Sequence, residues 1–291
     1  MLVALLAVVL ATVLALSMIE ISQRGQARTQ ALIEGERSLQ LARGMELLAF
    51  DWLQNEDLPA QLTGEWSAPF SVPGGAIQGR LIDQNARFNL NALAHPDPQQ
   101  ALDAQRQFER LLRLLELDPV LAVELADWLN PAGGPRPGAP GEAWYAGQQP
   151  PYRQAGQLLV HVSELRWLRS VDGQVLQRLS PHVTALPEPV RLLNVQTADE
   201  WVLASLFVDI ALADARRLAS DRPFRDVADF LAHPLVGGRL TPAEAEMLIV
   251  HSRWFVAQAR VSMNDRERDY FRLMQRGASG YDFRLFSQGV F

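Results

Sequence analysis

Asp127, Asn130 and Glu142 flank a Pro/Gly-rich loop, in the segments Asp127-Trp128-Leu129-Asn130 and Gly141-Glu142-Ala143-Trp144-Tyr145. Three oxygen donors so placed suit a hard cation. Calcium takes six to eight oxygens and tolerates irregular loops, so it is the candidate metal, with backbone carbonyls and water completing its shell. The competing reading of the same residues is a helix C-terminus that runs into a proline-restricted loop. Covalent and acid–base chemistry finds less support. His95, His161, His182, His233 and His251 are scattered without ligand spacing, and no His-Glu-x-x-His, Gly-x-Ser-x-Gly or Gly-x-x-x-x-Gly-Lys pattern occurs. With 0 cysteines there is no disulfide framework, thiolate zinc site, iron–sulfur cluster or cysteine nucleophile. All 27 basic residues are arginine, which removes lysine bases and Schiff bases. No catalytic residue is assigned, and the chain is read as something other than an enzyme.

The elements that would position these groups begin with an apolar run. Met1 to Ile19 contains no charge, and Thr12 and Ser17 are its polar side chains. At about 1.5 Å per residue it spans close to the roughly 30 Å hydrocarbon layer of a bilayer. A single membrane helix over 1–19 is the favoured reading. A cleaved secretory signal is the alternative, with Ala15-Leu16-Ser17 as its small-x-small site, but no basic residue precedes the apolar core. Residues 20–58 continue the same helix: Glu20 to Leu53 lacks proline and is rich in good helix formers, and Leu41, Met45, Leu48 and Trp52 share one apolar face for a head to cover.

Beyond it the period changes. Pro73-Gly74-Gly75 separates Phe70-Ser71-Val72 from Ala76 to Ile82 and predicts a hairpin within 59–97. Residues 98–250 read as helical, with Phe108, Leu111, Leu112 and Leu115 on one face and Val202, Leu203, Leu206 and Ile210 on another. Three strands return in 251–291, at Arg253 to Ser262, Arg268 to Gln275 and Tyr281 to Phe291. The fold class that follows is α+β: a long N-terminal helix packed on an antiparallel sheet, with a large helical domain inserted between strands. Insertion at a loop is tolerated because closure entropy grows only logarithmically with length.

Within the helical block, Leu193-Asn194-Val195-Gln196-Thr197-Ala198 opens a helix, and Thr197 with Glu200 has the spacing of a capping box. Together with Ala215-Arg216-Arg217 and Arg222-Pro223-Phe224 it resembles a helix-hairpin-helix unit, and such a domain is of the SAM-like kind. That suggests an alternative function, a membrane-anchored DNA-binding protein of competence type. Opposing it, Phe207 to Asp214 carries two aspartates and no glycine to present amides to phosphate, and the net charge is −6.

Six segments, in order, carry a family resemblance: Asp83-Gln84-Asn85-Ala86-Arg87-Phe88-Asn89-Leu90-Asn91-Ala92-Leu93, Asp127-Trp128-Leu129, Leu186-Pro187, Leu193 to Ala198, Pro223-Phe224 with Asp229-Phe230-Leu231, and Ser252-Arg253-Trp254-Phe255. Over nearly its whole length the chain resembles the minor pseudopilin K family of bacterial type II secretion systems, which usually carries asparagine where Gln196 stands. The resemblance implies a pilin-like helix and sheet bearing an all-helical insert. It implies a subunit at the tip of a periplasmic filament, partnered by minor pseudopilins I and J and, below them, minor pseudopilin H and major pseudopilin G. It further implies an inner-membrane anchor, calcium binding, and a precursor trimmed by prepilin peptidase to an N-methylated first residue, for which Met1 is the expected position. Pilin-like subunits mostly carry glutamate at position 5, where this chain has Leu5; a tip subunit has no neighbour above it to pair with. Ala4, Ala7, Ala11 and Ala15 form a small-residue stripe, read either as a seam for partner helices or as a lipid-facing surface. No nucleic-acid partner is expected.

Overall fold

The computed structural model describes residues 1–54, 64–130, 136–264, 266–277 and 280–289. Helix α1 (Leu2–Gln54) runs 53 residues, through Gly25, Gly35 and Gly44, and is about 80 Å long by its rise per residue. It is long and apolar enough to cross a membrane, the one such helix among the described residues.

The face that α1 buries is Ser38, Ala42, Met45, Ala49 and Leu53. This differs from the expected stripe: Met45 is shared, Leu41 is only half-buried, and the side chains of Leu48 and Trp52 lie outside the described residues. The reason is steric. Ala42 and Met45 pack with Ile77, Ala259, Val261, Met263 and Tyr270, while Ala49 and Leu53 pack with Leu81, Phe255, Ala257 and Met274. Alanines on both surfaces let helix and sheet approach closely, and interiors reward such fit over bulk.

The sheet is five-stranded and antiparallel, in the order β1 (Phe70–Val72), β2 (Gly75–Asp83), β7 (Trp254–Met263), β8 (Arg266–Gly277), β9 (Gly280–Gln288). The β1–β2 turn lies at Pro73-Gly74, with Gly74 at φ +88°, where glycine is unstrained. Gly75 matters for a different reason: a Cβ there would stand 1.9 Å from the Ser262 carbonyl oxygen and 2.9 Å from its carbon. Gly75→Ala is therefore expected to displace β1 and β2 from β7 and to cost about 2 kcal/mol, the usual penalty of overpacking against backbone. Chemical denaturation of the detergent-solubilised chain measures it, and an unchanged midpoint would show that the hairpin shifts freely.

The chain leaves the sheet at Asp83 and rejoins it at Trp254, and these crossings are neighbours: Gln84 N–H donates to the Trp254 carbonyl at 2.9 Å. The insert thus begins and ends nearer the sheet than the expected limits of 98 and 250, because Gln84 to Asn89 already turns away from it. Its elements are β3 (Phe88–Asn89), α2 (Pro98–Leu114), α3 (Val120–Leu129), α4 (Gly141–Ala146), α5 (Gly173–Leu179), β4 (Val183–Thr184), β5 (Leu193–Asn194), α6 (Glu200–Ser205), α7 (Leu212–Ser220), α8 (Val227–Ala232), α9 (Pro242–Ala245) and β6 (Leu248–Ile249). The block is mainly helical, with two parallel two-residue ladders added, β3 on β4 and β5 on β6. Its core includes the expected face of α2, where Phe108 stacks on Phe88 at 5.3 Å, together with Leu121, Leu125, Val202, Leu203 and Phe230. Helix α6 stops at Ser205 instead of continuing to Ile210, because Arg110 donates to the Ser205 and Leu206 carbonyls and so satisfies its end. The cap of α6 is Asp199, which accepts from Val202 N–H at 2.8 Å; Thr197, the expected cap, is employed elsewhere.

Candidate assembly interface

Two surfaces are candidates for association. The first is the bare part of α1. From Leu2 to Gln30 every described side chain is exposed, and the sheet's contact begins at Glu34, which accepts from Asn264 Nδ2 at 2.8 Å. Leu5 is 70% exposed, and Ala11 and Ala15 are open; the side chains of Ala4 and Ala7 lie outside the described residues. Large apolar side chains from Leu2 to Ile21 have nothing within the molecule to cover them. In water this would be untenable, whereas in lipid or against similar helices it is the favourable state.

The second surface is the insert, which contacts the sheet through Asn85 and Leu186. In the Asp83-to-Asn91 segment Asn85 ties the insert to the returning strand, while Asn89 and Asn91 order the insert itself. Asn85 Oδ1 accepts from the Arg253 and Trp254 amides at 3.0 Å, while its Nδ2 donates to the Leu192 carbonyl at 3.2 Å. Asn89 accepts from Leu186 N–H and donates to the Glu188 and Val190 carbonyls. Asn91 accepts from Leu159 N–H and donates to the Leu159 and Leu186 carbonyls. Each buried amide is satisfied on both sides, as burial demands. Gln196 is satisfied in the same way inside the insert: its amide donates to the Phe224 carbonyl and accepts Phe224 N–H at 2.9 Å. The family resemblance marked these segments; the partners of the asparagines, 68 to 169 positions away, carried no sequence signal.

The cation candidates lie at the end of α3 and the start of α4. Asp127 is buried and accepts from Gln154 Nε2; Asn130 is the exposed residue that ends α3; Glu142 is exposed in the first turn of α4. Among the described residues no group of three or more His, Asp or Glu side chains stands ready to hold a metal. Beside Asp127, Trp128 and Tyr145 meet edge to face at 5.2 Å, and the Trp128 Nε1 and Tyr145 Oη atoms are buried without partners. Burial, with Glu124 and Asp127 nearby, pushes the Tyr145 hydroxyl well above its ordinary range, so it is present as a neutral donor. The donor set is all oxygen, which suits calcium in kind, and a shell of six to eight would draw its remaining ligands from backbone carbonyls and water.

In the helix-hairpin-helix region three arginines are paired with carboxylates. Arg216 pairs with Glu200 at 3.5 Å, Arg217 with Asp221 at 3.9 Å and Arg225 with Asp229 at 3.6 Å.

A long helix, apolar and uncovered at its start and laid across an antiparallel sheet at its end, defines a pilin-like subunit. Profiles described as Type II secretion system (T2SS), protein K match residues 86–188 and 193–251. Type II secretion system protein K of Klebsiella pneumoniae is 33% identical over 95% of this chain and 91% of its own length; that of Pseudomonas aeruginosa is 34% identical over 78% and 70%. The crystal structure of the GspK–GspI–GspJ complex of the enterotoxigenic Escherichia coli Type 2 secretion system matches at a TM-score of 0.76 with 27% identity, covering 90% of this chain and 99% of that one. The chain belongs to the type II secretion system protein K family: it is a minor pseudopilin, a structural component of that secretion machinery.

Proposed function

We propose that the chain occupies the tip of the pseudopilus, where it starts and caps assembly with minor pseudopilins I and J above minor pseudopilin H and major pseudopilin G. The observation that carries this reading is the insert, Gln84 to Arg253, braced on one end of the sheet by Leu186 against Trp254, Val256, Phe271 and Leu273. A block of that size leaves no room for a further subunit above it. Leu5 supports the same place: a carboxylate in lipid without a cationic neighbour costs several kcal/mol, and a leucine at the top of the stack avoids that cost.

In this reading α1 crosses the inner membrane once and the head lies in the periplasm. The Ala4, Ala7, Ala11 and Ala15 face meets the helices of I and J by close packing, since lipid gives little hydrophobic drive between helices. The role is mechanical, without turnover or nucleic-acid binding. Co-expression of the full chain with I and J, followed by detergent extraction, tests it. A stable ternary complex is expected, with the chain confined by immunogold to filament ends; a chain that elutes alone, or labels filaments along their length, overturns the reading.

Calcium enters as a brace for the loop bounded by Asp127, Asn130 and Glu142, with no part in assembly itself. Adding calcium to the chelator-treated chain is expected to raise Tm by about 5 °C through preferential binding to the folded state. An unmoved Tm removes the ion from the reading.

A further inference from the structure

Three stretches that are distant in sequence meet at one carboxylate. Asp83, 3% exposed, ends β2 where the chain departs into the insert. Its Oδ1 accepts Asn85 N–H at 2.8 Å; its Oδ2 accepts Ser252 Oγ–H at 2.6 Å, Asn194 Nδ2–H at 3.2 Å and the Thr197 hydroxyl. Asn85 belongs to the outgoing crossing, Ser252 to the returning one, and Asn194 with Thr197 to the insert. One carboxylate thus takes hydrogen bonds from both crossings and from the insert.

All four donors are neutral. The charge that reaches Asp83 among the described residues is Arg87, on the same turn, and Arg87 also feels Asp199 and Arg80. Asp199 belongs to the insert segment, where His182 Nδ1 holds it at 2.7 Å. His251 and Arg253, on either side of Ser252, are exposed, and the nearby α1 surface is apolar with Ala49 and Leu53. Among the described residues no cation hydrogen-bonds Asp83. A carboxylate so placed gives up hydration without an ion pair in return, which favours its neutral form.

The cluster can accept that proton without coming apart. Thr197 and Ser252 are hydroxyls, able to reverse from donor to acceptor. A proton arriving on Oδ2 is donated to the Thr197 oxygen, whose own hydrogen turns outward from this half-buried residue; Ser252 Oγ keeps accepting from Asn194 Nδ2 at 2.8 Å, so the bridge between insert and return strand survives. We propose that Asp83 is a proton-operated clamp between the helical insert and the sheet, gripping more firmly as the medium acidifies.

Burial pushes the Asp83 carboxyl above its ordinary range, against the pull of its four hydrogen bonds. A raised folded value means that the folded state holds a proton the unfolded chain has released. Its stabilising contribution is complete below the unfolded value, about 3.9, and is lost as pH rises through the folded one.

The test uses the full chain in detergent. Hydrogen exchange followed by mass spectrometry, corrected for intrinsic chemistry, is compared between neutral and mildly acidic pH for peptides spanning 82–88, 192–198 and 250–256, with β8 peptides as the control. Protection at the junction is expected to rise several-fold on acidification in the unchanged chain and to stay flat in Asp83→Asn. Equal behaviour in both, or no rise, overturns the clamp. Should Asp83→Asn fail to fold, aspartate 13Cγ labelling of the unchanged chain decides: a carboxyl titrating above the ordinary range sustains the proposal, and none doing so ends it.

Discussion

Replacing residues 85–253 by Asn-Gly is expected to leave a folded helix and sheet and to reduce secretion to background. The geometry makes the excision feasible. Asp83 pairs with Phe255, and Gln84 donates to Trp254 across the gap, so the cut ends are already in hairpin register. A two-residue Asn-Gly turn matches the twist of such a pair. Removing Leu186 uncovers Trp254 and Phe271, so the excised chain should carry threonine at both to avoid an aggregation-prone patch. Circular dichroism would verify the fold, and export of a reporter would measure function. Normal export by a folded, insert-free chain would show that bulk above the sheet is dispensable, and the capping role would fall with it. Longer filaments in the deletion strain are the companion expectation, because a cap limits growth.

The second large effect concerns stability. Asp83→Leu places an apolar side chain of similar reach where four donors converge and leaves Asn85 N–H, Asn194 Nδ2, Thr197 Oγ1 and Ser252 Oγ to find other partners in a dry site. Each stranded donor costs about 1–3 kcal/mol; with hydroxyls partly rearranging, the sum is expected near 4 kcal/mol, a large share of a typical 5–15 kcal/mol. Denaturation of the intact chain followed by tryptophan fluorescence reads this out, with Trp254 beside the junction as reporter. A loss below about 1 kcal/mol would mean that the insert is held mainly by apolar contact, since lone surface changes have effects of that size. The contrast with Asp83→Asn is informative. Asparagine retains an acceptor and adds a donor the hydroxyls can meet, so it separates the loss of hydrogen bonding from the loss of charge.

Much of this architecture is written in local patterning. The proline-free run from Glu20 to Leu53 and the apolar run before it specify one helix, because helix formation depends on residues three and four apart. Pro73-Gly74 punctuates β1 and β2, and Asn264, at φ +47°, lies between β7 and β8, so the turns of the sheet are also marked by short-range chemistry. The apolar face of α2 is found by its period alone. The segments that carry the family resemblance were visible as motifs, though nothing in their spacing revealed what they hold.

What spacing could not decide is which surfaces meet. Leu41, Met45, Leu48 and Trp52 form as good a stripe as Ser38, Ala42, Met45, Ala49 and Leu53, and only the alanine-lined surface of β7 selects the second. Thr197 has the signature of a cap, yet its hydroxyl is drawn to Asp83, 114 positions away, and Asp199 takes over the cap. The ends of the insert likewise follow from where β2 and β7 stop pairing. Local chemistry therefore settles the helix, the hairpins and the family. Tertiary contact settles the buried face, the junction and its acid, because a buried polar group takes whatever partner the folded chain brings within 3 Å, and that partner's place in the sequence is unconstrained.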